Sequence, residues 1–348
     1  LALGLHQRGH SVDFFLYAPG DLLAGPLHAA DIPIHTFLKR SRYSPDVIWA
    51  LRDRIQAGKY DLVLSFLPTP NFYAISAIHS LAKKPRLVIS ERSYDPPEGV
   101  GLGQELLRQS YRLTDHLVVN SRHQRMNFAR KYPWLTGRLS TIYNGFDLDL
   151  FTLPGNEPLN DPLKLIAIAS VSPFKNGLCL VRALAILRSE YGLCPEVSWV
   201  GRRDHDRDRL AYLKMMEQEI ADRHLGDEWH WLGQRTDIVP LLQQHDALVH
   251  PSYGEGLPNV VCEALACGRP VLVSNTLDHP YLVQDRVSGY LFDHRDPASL
   301  AQAIKEFHDL SASDRRAMGV NARQFAEQNL SLARFISDYE KLFASLLG

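Results

Sequence analysis

The sequence predicts an α/β protein with two Rossmann-like parallel-sheet domains facing a cleft, and three observations lead there. Short β-branched or apolar runs alternate with helix-length amphipathic segments almost from end to end, the pattern of a parallel sheet with helices on both faces. The 348 residues suit two domains better than one. A run with three prolines and a glycine, 153–162, makes a poor helix or strand and splits the series of strands in two.

The elements follow in order. The opening LALGLHQRGH reads as the end of an amphipathic helix and a Gly-His turn, and it begins at Leu1 without methionine, so an upstream segment is expected. Strands are expected at 12–17, 62–67, 87–90, 117–120 and 141–144, with helices between them, giving a first domain over 1–150. After a linker at 151–163, strands are expected at 165–170, 197–201, 229–232, 247–250, 271–274 and 290–292, giving a second domain over 164–328. The last segment, 329–348, sets Leu332, Phe335, Ile336, Tyr339, Leu342, Phe343, Leu346 and Leu347 on one helical stripe that must dock against another surface.

Composition narrows the classes. With 45% hydrophobic and 22% charged residues the chain is neither a disordered tail nor a small disulfide-stapled module. No apolar run approaches the ~18 residues of a membrane-spanning helix. The four cysteines, Cys179, Cys194, Cys262 and Cys267, form no CxxC pair and suit no zinc site, so a reduced, cytoplasmic setting is the simplest reading. The formal net charge is -1, but residues 1–150 carry 18 Lys+Arg against 13 Asp+Glu, and the remainder 20 against 26. Clusters at Lys39/Arg40/Arg42, Lys83/Lys84/Arg86 and Arg122/Arg125/Arg130/Lys131 point the first half toward an anionic partner, a membrane surface or a phosphate-bearing acceptor; no nucleic-acid partner is expected.

The most informative stretch is HPSYGEGLPNVVCEALACGRPVLVS, residues 250–274. A strand ends at His250, a loop carries Gly254-Glu255-Gly256, and a helix opens at Leu257-Pro258, runs past Glu263 to about Cys267 and stops at Gly268 and Pro270. The backbone N–H groups of Leu257, Asn259 and Val260 at that helix start suit a phosphate or diphosphate. Two carboxylates beside an anion site are poor anion ligands but good acceptors for hydroxyls, gripping the sugars on either side of a diphosphate. Either glutamate alone would read as a cap or as a buried, paired acid; the whole string reads as a binding turn.

EGLPNVVCEALACGRPV resembles the E-x7-E motif of the glycosyltransferase family 4 enzymes, and weaker likenesses run along nearly the whole chain: GHSVDFFL, SERSYDPP, IYNGFD, SVSPFKNGLCLVRALAIL and VSGYLFDHRDPASLAQAI. The resemblance implies the two-domain GT-B fold, a final helix returning to the N-terminal domain, and transfer of a sugar from a nucleotide diphosphate donor with retention at the anomeric carbon. It implies an acceptor-binding first domain whose first strand and glycine-rich loop precede Leu1, and a donor-binding second domain. Glu255 would face the donor sugar, Glu263 the ribose, and the backbone from Gly256 through Leu257, Pro258 and Asn259 to Val260 the distal phosphate. Lys175, ordinarily a solvated residue after a strand, would neutralise the diphosphate. The family's arginine five residues before that lysine is Ser170 here, so Arg202, Arg203 or Arg235, each following a neighbouring strand, is expected to compensate. Asn71, Glu91, Arg92, Ser121, Arg122 and Asn144 follow strands of the first half and are expected on the acceptor side.

Two other signals are set aside. Asp204-His205-Asp206-Arg207-Asp208 looks like a metal-binding DxD but reads as a charged helix start. Gly99-Val100-Gly101-Leu102-Gly103 has no strand before it, so the dinucleotide fingerprint fails in context. No metal or cofactor is expected, the nucleotide sugar being a co-substrate. The sequence therefore reads as a retaining transferase taking a UDP- or GDP-sugar to a glycan or lipid-linked acceptor, cytoplasmic and in peripheral contact with an anionic membrane through its basic half. A sugar-nucleotide epimerase or hydrolase, or a non-catalytic nucleotide-sugar-binding protein, stands as the alternative.

Overall fold

The computed structural model describes all residues except 19–23, 42–43, 93, 96–98, 154–159 and 204–206, so the middle of the expected linker, Arg42 and part of the SERSYDPP segment lie outside the described residues. The chain divides into two units, Leu1–Gly145 with Leu332–Gly348, and Phe146–Ser331.

The strands of the first unit are β1 (Phe14–Leu16), β2 (Ile34–Thr36), β3 (Leu62–Phe66), β4 (Arg86–Glu91), β5 (His116–Val119) and β6 (Leu139–Thr141). β3-β4-β5-β6 form one parallel sheet, while among the described residues β1 pairs with β2 alone. Leu87 and Ile89 of β4 pack with Leu117 and Val119 of β5 against Ile55, Ala74, Tyr111 and Phe128 on one face. Val88 and Val118 point the other way, against Ile142 and Tyr339. A parallel sheet buried on both faces needs such uninterrupted apolar runs. Tyr339 belongs to the C-terminal helix Leu332–Leu347, whose Glu340 accepts hydrogen bonds from Arg8 and, at 2.9 Å, from His10. The amphipathic stripe read from sequence thus docks on the first unit.

Three expectations shift. The strand expected at 12–17 is three residues long, and its partner β2 was not foreseen: it follows Pro33 and is too short for its alternation to show. The strand expected at 141–144 slides back to β6, whose pairing ends at Thr141 because its partner β5 ends at Val119.

The second unit holds β7 (Lys164–Ile168), β8 (Glu196–Val200), β9 (Trp229–Gly233), β10 (Ala247–His250), β11 (Val271–Ser274) and β12 (Gly289–Phe292) in one parallel sheet, order β12-β11-β10-β7-β8-β9. The chain winds outward from β7 to β9, then returns to the other side of β7 as β10. The carboxyl ends of β7 and β10 therefore flank the point where strand order reverses, where open α/β sheets bind ligands. Residues 146–153 already belong to this unit: Phe146 N–H donates to Leu330 O at 2.8 Å, and Arg323 donates to the carbonyls of Phe151 and Ala266, each at 2.6 Å.

Candidate functional site

Beyond β7 the chain makes a 3-10 turn, Pro173–Lys175, closed by Asn176 in the left-handed region at φ 55°. That conformation aims the Asn176 amide, which donates to Pro251 O at 3.3 Å and to His294 O at 2.8 Å. Phe174 O accepts from Tyr253 N–H at 3.0 Å and Ser252 Oγ–H at 3.1 Å. The loop after β7 is thus stitched to the loop after β10. The approach is close: a Cβ on Gly254 would lie 3.0–3.2 Å from atoms of the Phe174 side chain. Tyr253 stacks on His294, ring centroids 5.3 Å apart.

This stitching brings Lys175 and Glu255 together. Lys175 Nζ donates to Glu255 Oε1, and the same oxygen receives His250 Nε2 at 3.1 Å. Burial pushes the Glu255 carboxyl up, but His250 and Lys175 outweigh it and hold it down at about 2, so it is ionised at neutral pH. The Lys175 and Glu255 side chains keep 20% and 16% of their surface, enough for a solute to reach them.

The helix behind the loop is Asn259–Ala266, with Pro258 as its N-cap, so it begins slightly later than the sequence placed it. Val261 and Cys262 donate to Pro258 O at 3.0 and 3.2 Å, whereas among the described residues no acceptor meets the N–H groups of Gly256, Leu257 or Val260. Gly268 adopts φ 64° beyond the helix end, as its position predicted. Glu263, on the second turn, is half-buried and its carboxylate makes no hydrogen bond or ion pair among the described residues; burial alone pushes that carboxyl up. Among the described residues, N–H donors without acceptors, a cation shared with a carboxylate and an unpaired carboxylate thus line one stretch of chain.

Ser170 is half-buried in the turn after β7 and carries no charge to replace an arginine. Arg202 is beside it: its carbonyl accepts Val171 N–H at 2.9 Å, its side chain is exposed, and it has no acidic partner among the described residues. Arg203 lies over the Trp231 ring at 5.5 Å, and Arg235 donates to Asp237 through Nε and Nη2. Of the three, Arg202 alone has no acidic or aromatic partner among the described residues. Gly201, Arg202, Arg203, Glu217, Gly233 and Gln234 line an open depression of about 480 Å³ at the carboxyl ends of β8 and β9.

In the first unit the expected acceptor-side residues fall into three groups. Asn71 and Glu91 are fully buried: Tyr111 OH donates to Glu91 Oε1 at 2.6 Å, Arg108 Nε reaches the same oxygen at 3.4 Å, and Asn71 Nδ2 donates to Ser90 O at 3.1 Å. Arg108, itself buried, grips Asp95 through both terminal nitrogens at 2.6 and 2.7 Å. Arg92 and Asn144 meet on the other side of β4, where Arg92 also reaches Tyr339 OH at 3.3 Å. Ser121 caps the helix Arg122–Lys131, taking Gln124 N–H at 3.1 Å, and Arg122 lies over Tyr143 at 5.9 Å.

Of the DHDRD segment, 204–206 lie outside the described residues, and a helix begins at Arg207. Among the described residues no group of three or more His, Cys, Asp or Glu side chains is arranged to hold a metal ion. Sequence reading missed His250 and Arg108. His250 closes an apolar strand and reads as its last residue, yet its distance of five from Glu255 was a usable signal.

Comparison with known proteins bears on the whole chain. Residues 1–150 match the family model described as Glycosyltransferase Family 4, and residues 162–309 the one described as Glycosyl transferases group 1. D-inositol 3-phosphate glycosyltransferase from Thermobifida fusca is 27% identical over 357 residues, covering 87% of this chain and 77% of the relative. The proteins of that name from Streptomyces avermitilis (26% over 270 residues) and Mycolicibacterium smegmatis (27% over 284) cover 73% and 76% of this chain. The chain spans only 56% and 62% of their lengths. In fold it is similar to a glycosyltransferase from Rickettsia africae (TM-score 0.83, 17% identity, 99% of this chain and 93% of the other). It is likewise similar to Anabaena Alr3699/HepE in complex with UDP (TM-score 0.81, 21% identity, 96% and 92%).

Proposed function

The chain belongs to the family 4 glycosyltransferases, a family 4 domain followed by a group 1 domain, and on that premise we propose that it transfers a sugar, with retention and without a metal ion, from a UDP- or GDP-linked donor to a glycan or lipid-linked acceptor. The observation that carries the reading is the turn from Lys175 to Glu263: a cation and an ionised carboxylate share one hydrogen bond beside three N–H groups that meet no acceptor among the described residues. A nucleotide sugar is a glycosyl phosphate, so the barrier lies in the charge growing on the departing diphosphate. Fixed N–H dipoles and Lys175 stabilise that charge where water is partly excluded. The departing phosphate itself takes the acceptor's proton, so no separate base is needed. Glu255 accepts from the sugar's hydroxyls and Glu263 from the ribose, and Arg202 supplies the second cation that Ser170 does not. We assign the nucleoside end to the depression beside Arg202 and Gly233, and the acceptor to the first unit, near Arg92 and Asn144. The UDP in the Anabaena structure supports a nucleoside diphosphate.

The same reading includes a membrane contact. Leu102, Leu106 and Leu113 are exposed along one side of 102–113, and Arg122, Arg125 and Arg130 are exposed on the helix Arg122–Lys131. Apolar and basic groups together suit an anionic bilayer. Cosedimentation with vesicles containing anionic lipid, lost with zwitterionic vesicles, tests it.

The function is tested by incubating the protein with UDP- and GDP-sugars, with and without EDTA, and following nucleoside diphosphate release. Release that survives EDTA and accelerates with an acceptor supports transfer. Release indifferent to acceptor means hydrolysis, and thermal stabilisation by the nucleotide without turnover means a binding protein.

A further inference from the structure

We propose that His250 is a positioning residue for Glu255, the donor that keeps this carboxylate aimed when Lys175 turns to the diphosphate. The proposal rests on the transfer reading for its kinetic consequence only; its structural consequence stands apart from it.

His250 is the last residue of β10, between β7 and β11, and is 1% exposed. A polar ring sealed at the end of an apolar strand must have its hydrogen bonds met. Its Nε2 is 3.1 Å from Glu255 Oε1, and an ionised carboxylate only accepts, so Nε2 carries the hydrogen. Burial favours the uncharged ring and holds its pKa down. Beneath it stands His279, also sealed, its ring edge-on to His250 at 88° and 5.5 Å between centroids. His279 is fixed in turn: Nδ1 is 2.8 Å from Ser274 O and 2.9 Å from Ser274 Oγ, and Ser274 Oγ donates to Ser252 O. The His250 ring is wedged by a side chain that is itself anchored to β11 and the loop after β10.

The two donors to Glu255 differ in what they can do next. Lys175 is a long, partly exposed side chain on a loop, and the incoming diphosphate competes with Glu255 for it. His250 is buried, held by its strand, and faces no other acidic group in the contacts described; around it stand Glu255, Lys175 and His279. When Lys175 leaves, His250 alone holds the carboxylate ionised and oriented toward the donor sugar. The hydrogen bond from His250 matters most once Lys175 has turned to a diphosphate whose charge grows in the transition state, so its loss falls on kcat more than on KM.

The test uses the full chain with His250→Leu, which fills similar space without a donor, and His250→Gln, whose amide N–H replaces Nε2–H. Transfer should drop about 10- to 100-fold in kcat in His250→Leu with KM for the nucleotide sugar changed less than about threefold, and should recover most of that loss in His250→Gln. Independently of any turnover, ¹³C-carboxyl NMR should show Glu255 titrating at higher pH in His250→Leu than in the wild type, and ¹⁵N spectra should show His250 as the Nε2–H form. A folded His250→Leu protein with unchanged Glu255 titration overturns the proposal whether or not the protein transfers sugar. So does a His250→Gln protein that melts normally yet is as slow as His250→Leu. Turnover absent from the wild type with the Glu255 shift present refutes the transfer reading alone.

Discussion

Replacing Lys175 by alanine, or by methionine to keep the stem, removes the cation of the site while sparing its scaffold. The loop is positioned by Asn176 and by the Phe174 carbonyl, and Glu255 keeps His250 as a donor, so the variants should fold with a stability loss of about 1 kcal/mol, one partly buried hydrogen bond. The catalytic loss is larger. One charge-assisted hydrogen bond to the departing diphosphate contributes about 1.5–3 kcal/mol, which corresponds to about 10- to 100-fold in kcat/KM if it forms in the transition state. Glu255 loses one of the two donors that hold it at about 2, so its carboxyl titrates higher, yet with His250 in place it stays ionised at pH 7. Initial rates of nucleoside diphosphate release, with circular dichroism melts of both variants, measure the two sides. Wild-type kcat/KM in a folded Lys175→Ala protein would refute the assignment, and a collapse in melting temperature would make Lys175 a structural partner of Glu255.

Other consequences follow from the same contacts. Glu263→Ala removes a half-buried carboxylate without a partner among the described residues, so nucleoside diphosphate affinity by calorimetry should fall about tenfold while the ligand-free protein melts no lower; unchanged affinity contradicts the ribose role. Arg108→Met strands the buried Glu91 and frees Asp95, and chemical denaturation should show the first unit losing about 3–5 kcal/mol; a loss below about 1 kcal/mol would mean the pair is not sealed. Acid should destabilise the second unit. His279, depressed to about 3 from 6.5, resists a proton that the unfolded chain accepts, so stability is full above pH 6.5 and declines as pH falls toward 3; Glu255, depressed to about 2 from 4.5, adds its loss below pH 4.5. Glu263, raised, has the opposite sign, its stability being present below pH 4.5 and lost as pH rises through its folded value. His279 bounds the change between pH 6.5 and 5 at about 2 kcal/mol, a fall of several degrees in melting temperature, and a flat or rising profile over that range contradicts it.

Much of this was legible because parallel strands buried on both faces leave apolar runs: LVIS of β4 and VLVS of β11 announce themselves. Helix punctuation was legible too, since Gly268 and Pro270 can do little else in that place. What escaped depended on partners distant in sequence. β2 exists through its pairing with β1, and the first unit gives up 146–150 because Arg323 claims the carbonyls of Leu148 and Phe151. Arg108 reads as one more charge on an amphipathic helix; Glu91 and Asp95, from the strand and turn before it, are what bury it. His250 likewise becomes a functional candidate only when β7 and β11 enclose its strand.

A crystal structure with UDP or GDP bound tests the central claim most directly. The account predicts the diphosphate within hydrogen-bond distance of Lys175 Nζ and of the N–H groups of Gly256, Leu257 and Val260, the ribose hydroxyls on Glu263, and Glu255 still on His250. A nucleotide seated elsewhere, with Lys175 and Glu255 still paired and Glu263 touching nothing, would contradict it.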